Sequence, residues 1–147
     1  MKRNARWVWS VLTVLSMGAA ASLARADEAA QVSAGHELFE KNCVMCHGPQ
    51  GRGDGPLADD LKVHPADLTG IAARRAGNFP DAEISEIIDG RRRVRGHGNE
   101  MPIWGREFAE KTTDPAERTA AIRENIAKLV AYLHSIQAAP KQTGGGH

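Results

Sequence analysis

Cysteine and aromatic side chains are scarce in this chain: two Cys, one Tyr, three Phe and three Trp among 147 residues. Two cysteines cannot build the multi-bridge framework of a small secreted scaffold. They also fall short of a structural zinc site, which needs further ligands at a spacing of their own. With so few aromatics, a core made of side chains alone is modest. Small domains often add a cross-link, a metal or a cofactor to the surface they bury. No stretch of alternating β-branched residues marks a strand, and an excess of basic charge, the footprint of a nucleic-acid binder, is missing as well.

One apolar run stands out. Lys2, Arg3 and Arg6 precede the run 7–24, and Ala24-Arg25-Ala26 places small residues at the two positions that direct cleavage. This is the layout of an export signal, and residues 1–26 are expected to leave after Ala26. Ser10, Thr13, Ser16, Gly18 and four alanines make the run weakly apolar, so a retained membrane anchor is the rival, and membrane association is expected only if the segment stays. Of 19 basic and 18 acidic residues in the chain, the segment takes Lys2, Arg3, Arg6 and Arg25 and no acid, leaving a net charge of −3. Export implies the periplasm, an oxidising compartment in which two lone cysteines usually pair.

The rest reads as all-α. A first helix is expected over about 32–46, with Gly35, Phe39 and Cys43 spaced by four along one ridge. A second is announced by Pro80 and Asp81, carries Ile84, Ile87 and Ile88 on one face, and meets Gly90 where a left-handed cap belongs. The last has Asp114 as N-cap, Pro115 at the first helical position and Glu117 three residues after the cap. An apolar stripe follows through Ile122, Ile126, Leu129, Val130, Leu133 and Ile136. Between the first two helices, the Gly- and Pro-rich stretch from 48 to about 78 is too long for an idle connector and needs something to wrap around. Residues 27–139 form one domain, and 140–147 a Gly-rich flexible tail.

Cys43-Val44-Met45-Cys46-His47 is the c-type haem attachment pattern. Cysteines three apart share one side of a helical turn and can form thioethers with two vinyl groups on one porphyrin edge. The next residue, His47, is carried round by about a further 100° and can present its imidazole to the iron. A redox dithiol would sit beside a βαβ pattern, which is absent.

These residues resemble the class I c-type cytochromes, the small bacterial mono-haem kind, over roughly 32–136. Cys43, Cys46 and His47 match the attachment motif, and Met101-Pro102 matches the later Met-Pro loop. The segments 51–56, 65–68 and 98–104 also resemble small bacterial members. The resemblance implies an all-α cytochrome c fold whose N- and C-terminal helices cross, with shorter helices and long loops around one covalent haem c. It implies a Gly/aromatic contact of Gly35 and Phe39 with Tyr132, a Pro56 carbonyl accepting from the His47 ring, and Leu57 against the haem. After signal removal only Met45 and Met101 remain as thioethers. Met45 is tied to the proximal side, so Met101 is the expected sixth ligand; Pro102 restricts it to extended conformations. His97, in the same loop, is the rival. His36, His64 and His134 read as solvated, and His147 as tail.

Trp104 is expected either at the haem edge, offering its indole N–H to a propionate, or as a buried structural residue. Arg91, Arg92, Arg93 and Arg95 form the sharpest charge cluster: a solvated surface, a propionate partner, or a docking patch for an acidic redox protein. The expectation is a periplasmic one-electron carrier serving respiratory or dehydrogenase partners, not an enzyme, with neither nucleic acid nor a small-molecule substrate. The alternatives are a haem c subunit held in an oxidoreductase complex, or a gas or redox sensor with an open iron position. A two-haem peroxidase is disfavoured by the single attachment motif.

Overall fold

No proline precedes Pro49, and nothing in the backbone chemistry stops a helix upstream of the first cysteine. The computed structural model describes residues 5–92, 101–109 and 113–138. Arg93, Arg95, His97, the tail 140–147 and its His147 lie outside the described residues. The first helix, α1 (Ala5–Asn42), starts far upstream of the expected residue 32. Residues 24–31 are exposed, while Val32 is half-buried and Gly35 and Phe39 are buried. The apolar periodicity therefore marks where the helix begins to pack, whereas Ala-rich sequence continues it outward by propensity alone. Helix α1 also ends earlier than expected. Cys43, at φ −118° and ψ −27°, interrupts it for one residue before the single turn of α2 (Val44–His47).

The remaining helices are α3 (Asp81–Asp89), α4 (Trp104–Glu107) and α5 (Pro115–Ser135); among the described residues there is no strand. Helix α3 ends as expected, with Gly90 in the left-handed region at φ 85° and its N–H donating to the Ile87 carbonyl. Helix α5 begins as expected too: Asp114 Oδ1 accepts from the backbone N–H of Ala116 at 2.7 Å and of Glu117 at 3.0 Å, with Pro115 at the first helical position. These bonds satisfy two of the donors a helix start leaves open. The long connector carries three short 3-10 turns, Ala58–Asp60, Leu68–Gly70 and Ala73–Arg75. No helix among the described residues is long and apolar enough to cross a membrane.

Helices α1 and α5 cross at Gly35. A Cβ built there would lie 2.0 Å from the Lys128 carbonyl oxygen and 2.9 Å from Tyr132 Cβ, so the two backbones touch and only glycine fits. One turn on, the Phe39 and Tyr132 rings lie 5.1 Å apart at 49°. Phe39 and Leu129 are the two largest completely buried side chains, and Ile126, Val130 and Leu133 complete the buried stripe of α5. The Gly35→Ala variant is expected to lose about 1–3 kcal/mol through overpacking, read as a lower midpoint in denaturant unfolding; an unchanged midpoint would contradict the close crossing.

Candidate functional site

The end of α2 leaves four carbonyls without a helical partner, as every helix end does. Here the following loop satisfies them one by one. Val44 O accepts from Gly48 N at 2.8 Å, Met45 O from Leu57 N at 2.9 Å, Cys46 O from Gly55 N at 3.2 Å and His47 O from Gly53 N at 2.8 Å. A Cβ on Gly55 would stand 2.5 Å from the Val44 and Met45 oxygens. The loop therefore lies directly on the backbone of the Cys-x-x-Cys-His turn.

Farther along, the chain returns across the turn, and His47 Nδ1 meets the Ala66 carbonyl oxygen at 3.1 Å. A carbonyl only accepts, so Nδ1 carries the proton and donates it. The expectation that Pro56 supplies this carbonyl is corrected. Residues 53–57 are spent capping α2, and the chain comes back over the ring only at residues 65–66. Leu68 N donates to Gly51 O at 2.7 Å and pins that return. Leu57 is likewise corrected as a haem contact: it is 41 % exposed and does not line the cavity behind the turn.

A cavity of about 310 Å³ opens behind the turn. Cys43, Cys46 and His47 line it from one side, Leu68 and Ile71 from the loop, Ile84 and Ile88 from α3, and Leu129 and Leu133 from α5. Met101, Pro102 and Trp104 line it too, so the structure brings Met101 to the same cavity as His47 across about fifty residues of chain. His47 is the one buried polar side chain among the described residues, 8 % exposed. Among those residues, no three of His, Cys, Asp and Glu gather as a metal cluster.

Other residues singled out in the sequence fall elsewhere. The His36 and Tyr132 rings meet tilted at 40°, 4.9 Å apart, and His134 stacks on Phe79 at 4.7 Å beside Asp81; both histidines are exposed. His64 is exposed, yet it lines the cavity mouth. Trp104 stacks on Phe108 and reaches the cavity. Arg91 pairs with Asp89, and Arg92 lies 3.9 Å from both Glu83 and Glu86. Sequence reasoning passed over Arg74 and Arg75, which also line the cavity: Arg74 donates to the Asp67 carbonyl at 2.7 Å and Arg75 pairs with Glu83 at 2.5 Å. Their signal was an Arg-Arg pair inside the loop that had to wrap around something.

Burial, with the neighbouring Cys46 adding to it, pushes the Cys43 thiol up to about 12. The free side chain is therefore a neutral thiol at physiological pH, a poor thiolate donor for zinc or for disulfide exchange. Cys43 and Cys46 are not joined in a disulfide. Two thiols one turn apart, an imidazole with its outer nitrogen already tied, a thioether in the same cavity and apolar walls between them form a donor set that fits a haem held by two covalent bonds.

Such a helical domain, built around a redox cofactor, defines a class of electron-transfer proteins. The family model described as cytochrome c matches residues 32–137. The chain belongs to the cytochrome c family: its cofactor is covalent haem c, and its chemistry is haem-based electron transfer. No curated protein and no solved structure matches the chain.

The cavity wall at 67–75 depends on a carboxylate. Asp67 Oδ1 accepts from Thr69 N at 2.8 Å and Thr69 Oγ1 at 2.7 Å, and chiefly the latter bond, with help from Arg74 and Arg52, holds its pKa below the usual 3.8. A depressed folded-state pKa adds stability that is complete above 3.8 and is lost as pH falls through the folded-state value. Screening at this exposed site limits the effect to roughly 0.5 kcal/mol. In urea unfolding of the wild type and Asp67→Asn, the gap in stability is expected to be widest at neutral pH and to close as pH falls below 3.8 and through the folded-state pKa.

Proposed function

We propose that the protein is a periplasmic one-electron carrier in which Cys43 and Cys46 bind the haem edge as thioethers and His47 and Met101 ligate the iron. The observation that carries this reading is the convergence of all four side chains on one cavity, with the His47 ring already oriented by Ala66. With Nδ1 donating to that carbonyl, Nε2 is the nitrogen that would hold the metal, and the Ala66 acceptor would raise its basicity. The haem supplies an iron that alternates between Fe(II) and Fe(III).

The chain supplies the rest. Ile71, Ile84, Ile88, Leu129 and Leu133 keep water from the cavity, and the low polarity strengthens the influence of each ligand on the potential. With Met101 and His47 both holding the iron, the haem would have a higher potential than with two nitrogen donors and would offer oxygen no free coordination position. Export to the periplasm is supported by the charged start, apolar run and Ala24-Arg25-Ala26 of the N-terminal segment.

Spectra test the ligands. Met101→Ala is expected to lose the red-edge thioether-to-iron band of the ferric protein and to bind carbon monoxide when reduced. Absence of the band already in the wild type would assign the sixth position elsewhere, His97 first, and a band retained in Met101→Ala would exclude Met101 as its source. Acidified acetone should leave the pigment on the wild-type chain, and Cys43→Ala/Cys46→Ala should release it.

Docking is proposed to use Arg91, Arg92, Arg93 and Arg95 toward an acidic redox partner. Replacing all four with glutamate is expected to slow reduction by such a partner about tenfold at low salt while barely moving the potential. The difference should shrink as ionic strength approaches ~0.15 M, where screening acts within about 8 Å. Equal rates at low salt would remove this role.

A further inference from the structure

Just past the end of α5, Gln137 uses its whole side-chain amide on neighbouring backbone. Nε2 donates to the Leu68 carbonyl at 2.9 Å and to the Leu133 carbonyl at 2.6 Å, and Oε1 accepts from Ala72 N–H at 2.9 Å. Next to it, Ala138 N–H donates to the Thr69 carbonyl at 2.8 Å. The C-terminal helix is thus clamped to residues 68–72, the piece of loop that begins two residues after Ala66. Leu68 is also pinned on its other side, through its N–H to Gly51 O. No other contact of comparable order joins the end of α5 to this loop among the bonds described.

From this geometry we infer that Gln137 is a positioning residue for the iron-binding histidine: it holds the 66–72 segment so that the Ala66 carbonyl stays on His47 Nδ1. The inference rests on the reading of His47 as an iron ligand. Two donors and one acceptor in one plane, on a stem of this length, are what a glutamine amide offers. Methionine keeps the stem and loses all three bonds, leaving the Leu68 carbonyl and the Ala72 N–H to find other partners. Glutamate keeps the acceptor for Ala72 N–H but sets a carboxylate against two carbonyl oxygens. When the segment loosens, Ala66 withdraws, the His47 ring becomes a weaker donor, and Fe(III) loses more stabilisation than Fe(II).

The test is made on the haem-loaded full chain, comparing wild type, Gln137→Met and Asp114→Ala. The last variant removes the α5 N-cap, far from the loop, and controls for lost stability. Expected in Gln137→Met is an upward shift of the midpoint potential of roughly tenfold in the equilibrium between oxidation states, ~59 mV for one electron. The His47 Nδ1–H of the ferrous protein should also exchange with solvent on the order of tenfold faster by NMR. Asp114→Ala should unfold more easily with both readouts unchanged. An unmoved potential and exchange rate in Gln137→Met, or equal changes in both variants, would overturn the inference. Should Gln137→Met not fold, Gln137→Glu carries the exchange measurement with the same expected direction. Failure of the ligand reading is visible separately: the wild-type His47 ring protons would then lack the large porphyrin ring-current shift, whatever Gln137 does.

Discussion

The His47 imidazole donates through Nδ1 to the Ala66 carbonyl, and in doing so joins two parts of the chain that local sequence would leave independent. One is the end of α2, whose carbonyls need partners; the other is a loop with no regular structure long enough to stabilise itself. The four bonds from Gly48, Gly53, Gly55 and Leu57 to the carbonyls of residues 44–47 bring the loop onto the turn. The Ala66 bond then closes it over the ring and fixes which nitrogen holds the proton. A histidine with a settled tautomer and a locked ring plane is a prepared ligand, because little reorganisation remains when the metal is bound or changes charge.

Around that centre the domain is thinly built. Its aromatic content is low, and its buried apolar side chains line a cavity as much as they fill a core: Phe39, Ile71, Ile84, Ile88, Leu129 and Leu133 belong to both. The contact at Gly35 makes this arrangement possible, since it lets α1 and α5 approach until their backbones touch and sets Phe39 and Leu129 at the base of the cavity. A covalent haem completes the packing that the side chains leave open, so cofactor and core are one energetic unit.

Charge is distributed with the same economy. The carboxylates Glu83, Glu86 and Asp89 on and beside one face of α3 take up Arg75, Arg92 and Arg91. Arg75 is drawn to the cavity mouth by Glu83, while Arg74 folds onto the Asp67 carbonyl. Arg75 thus ties the loop to α3, Arg74 ties the loop to itself, and Arg91 and Arg92 fold back onto α3. Their sequence neighbours Arg93 and Arg95 extend the same basic stretch.

Short-range chemistry was legible from the residues. Asp114-Pro115 starts α5, Gly90 ends α3, Gly35 sits where two helices meet, and Cys43, Cys46 and His47 share one turn, because caps, left-handed positions and helical spacing each depend on a few neighbouring residues. The start of α1 was not legible in this way: apolar periodicity records burial, and residues 24–31 form helix without being buried. Nor was the partner of the His47 ring. Pro56 and Ala66 are both loop carbonyls within reach in sequence, and the choice fell to Ala66 once residues 53–57 were engaged in capping α2. Gln137, sixty-nine residues from the Leu68 carbonyl it holds, carries no local signal at all. By itself, then, the sequence determined the caps of α3 and α5, the α1–α5 crossing and the anchoring turn; only the tertiary structure decided which backbone groups orient that turn, since a loop's hydrogen bonds are allotted by competition among groups distant in the chain.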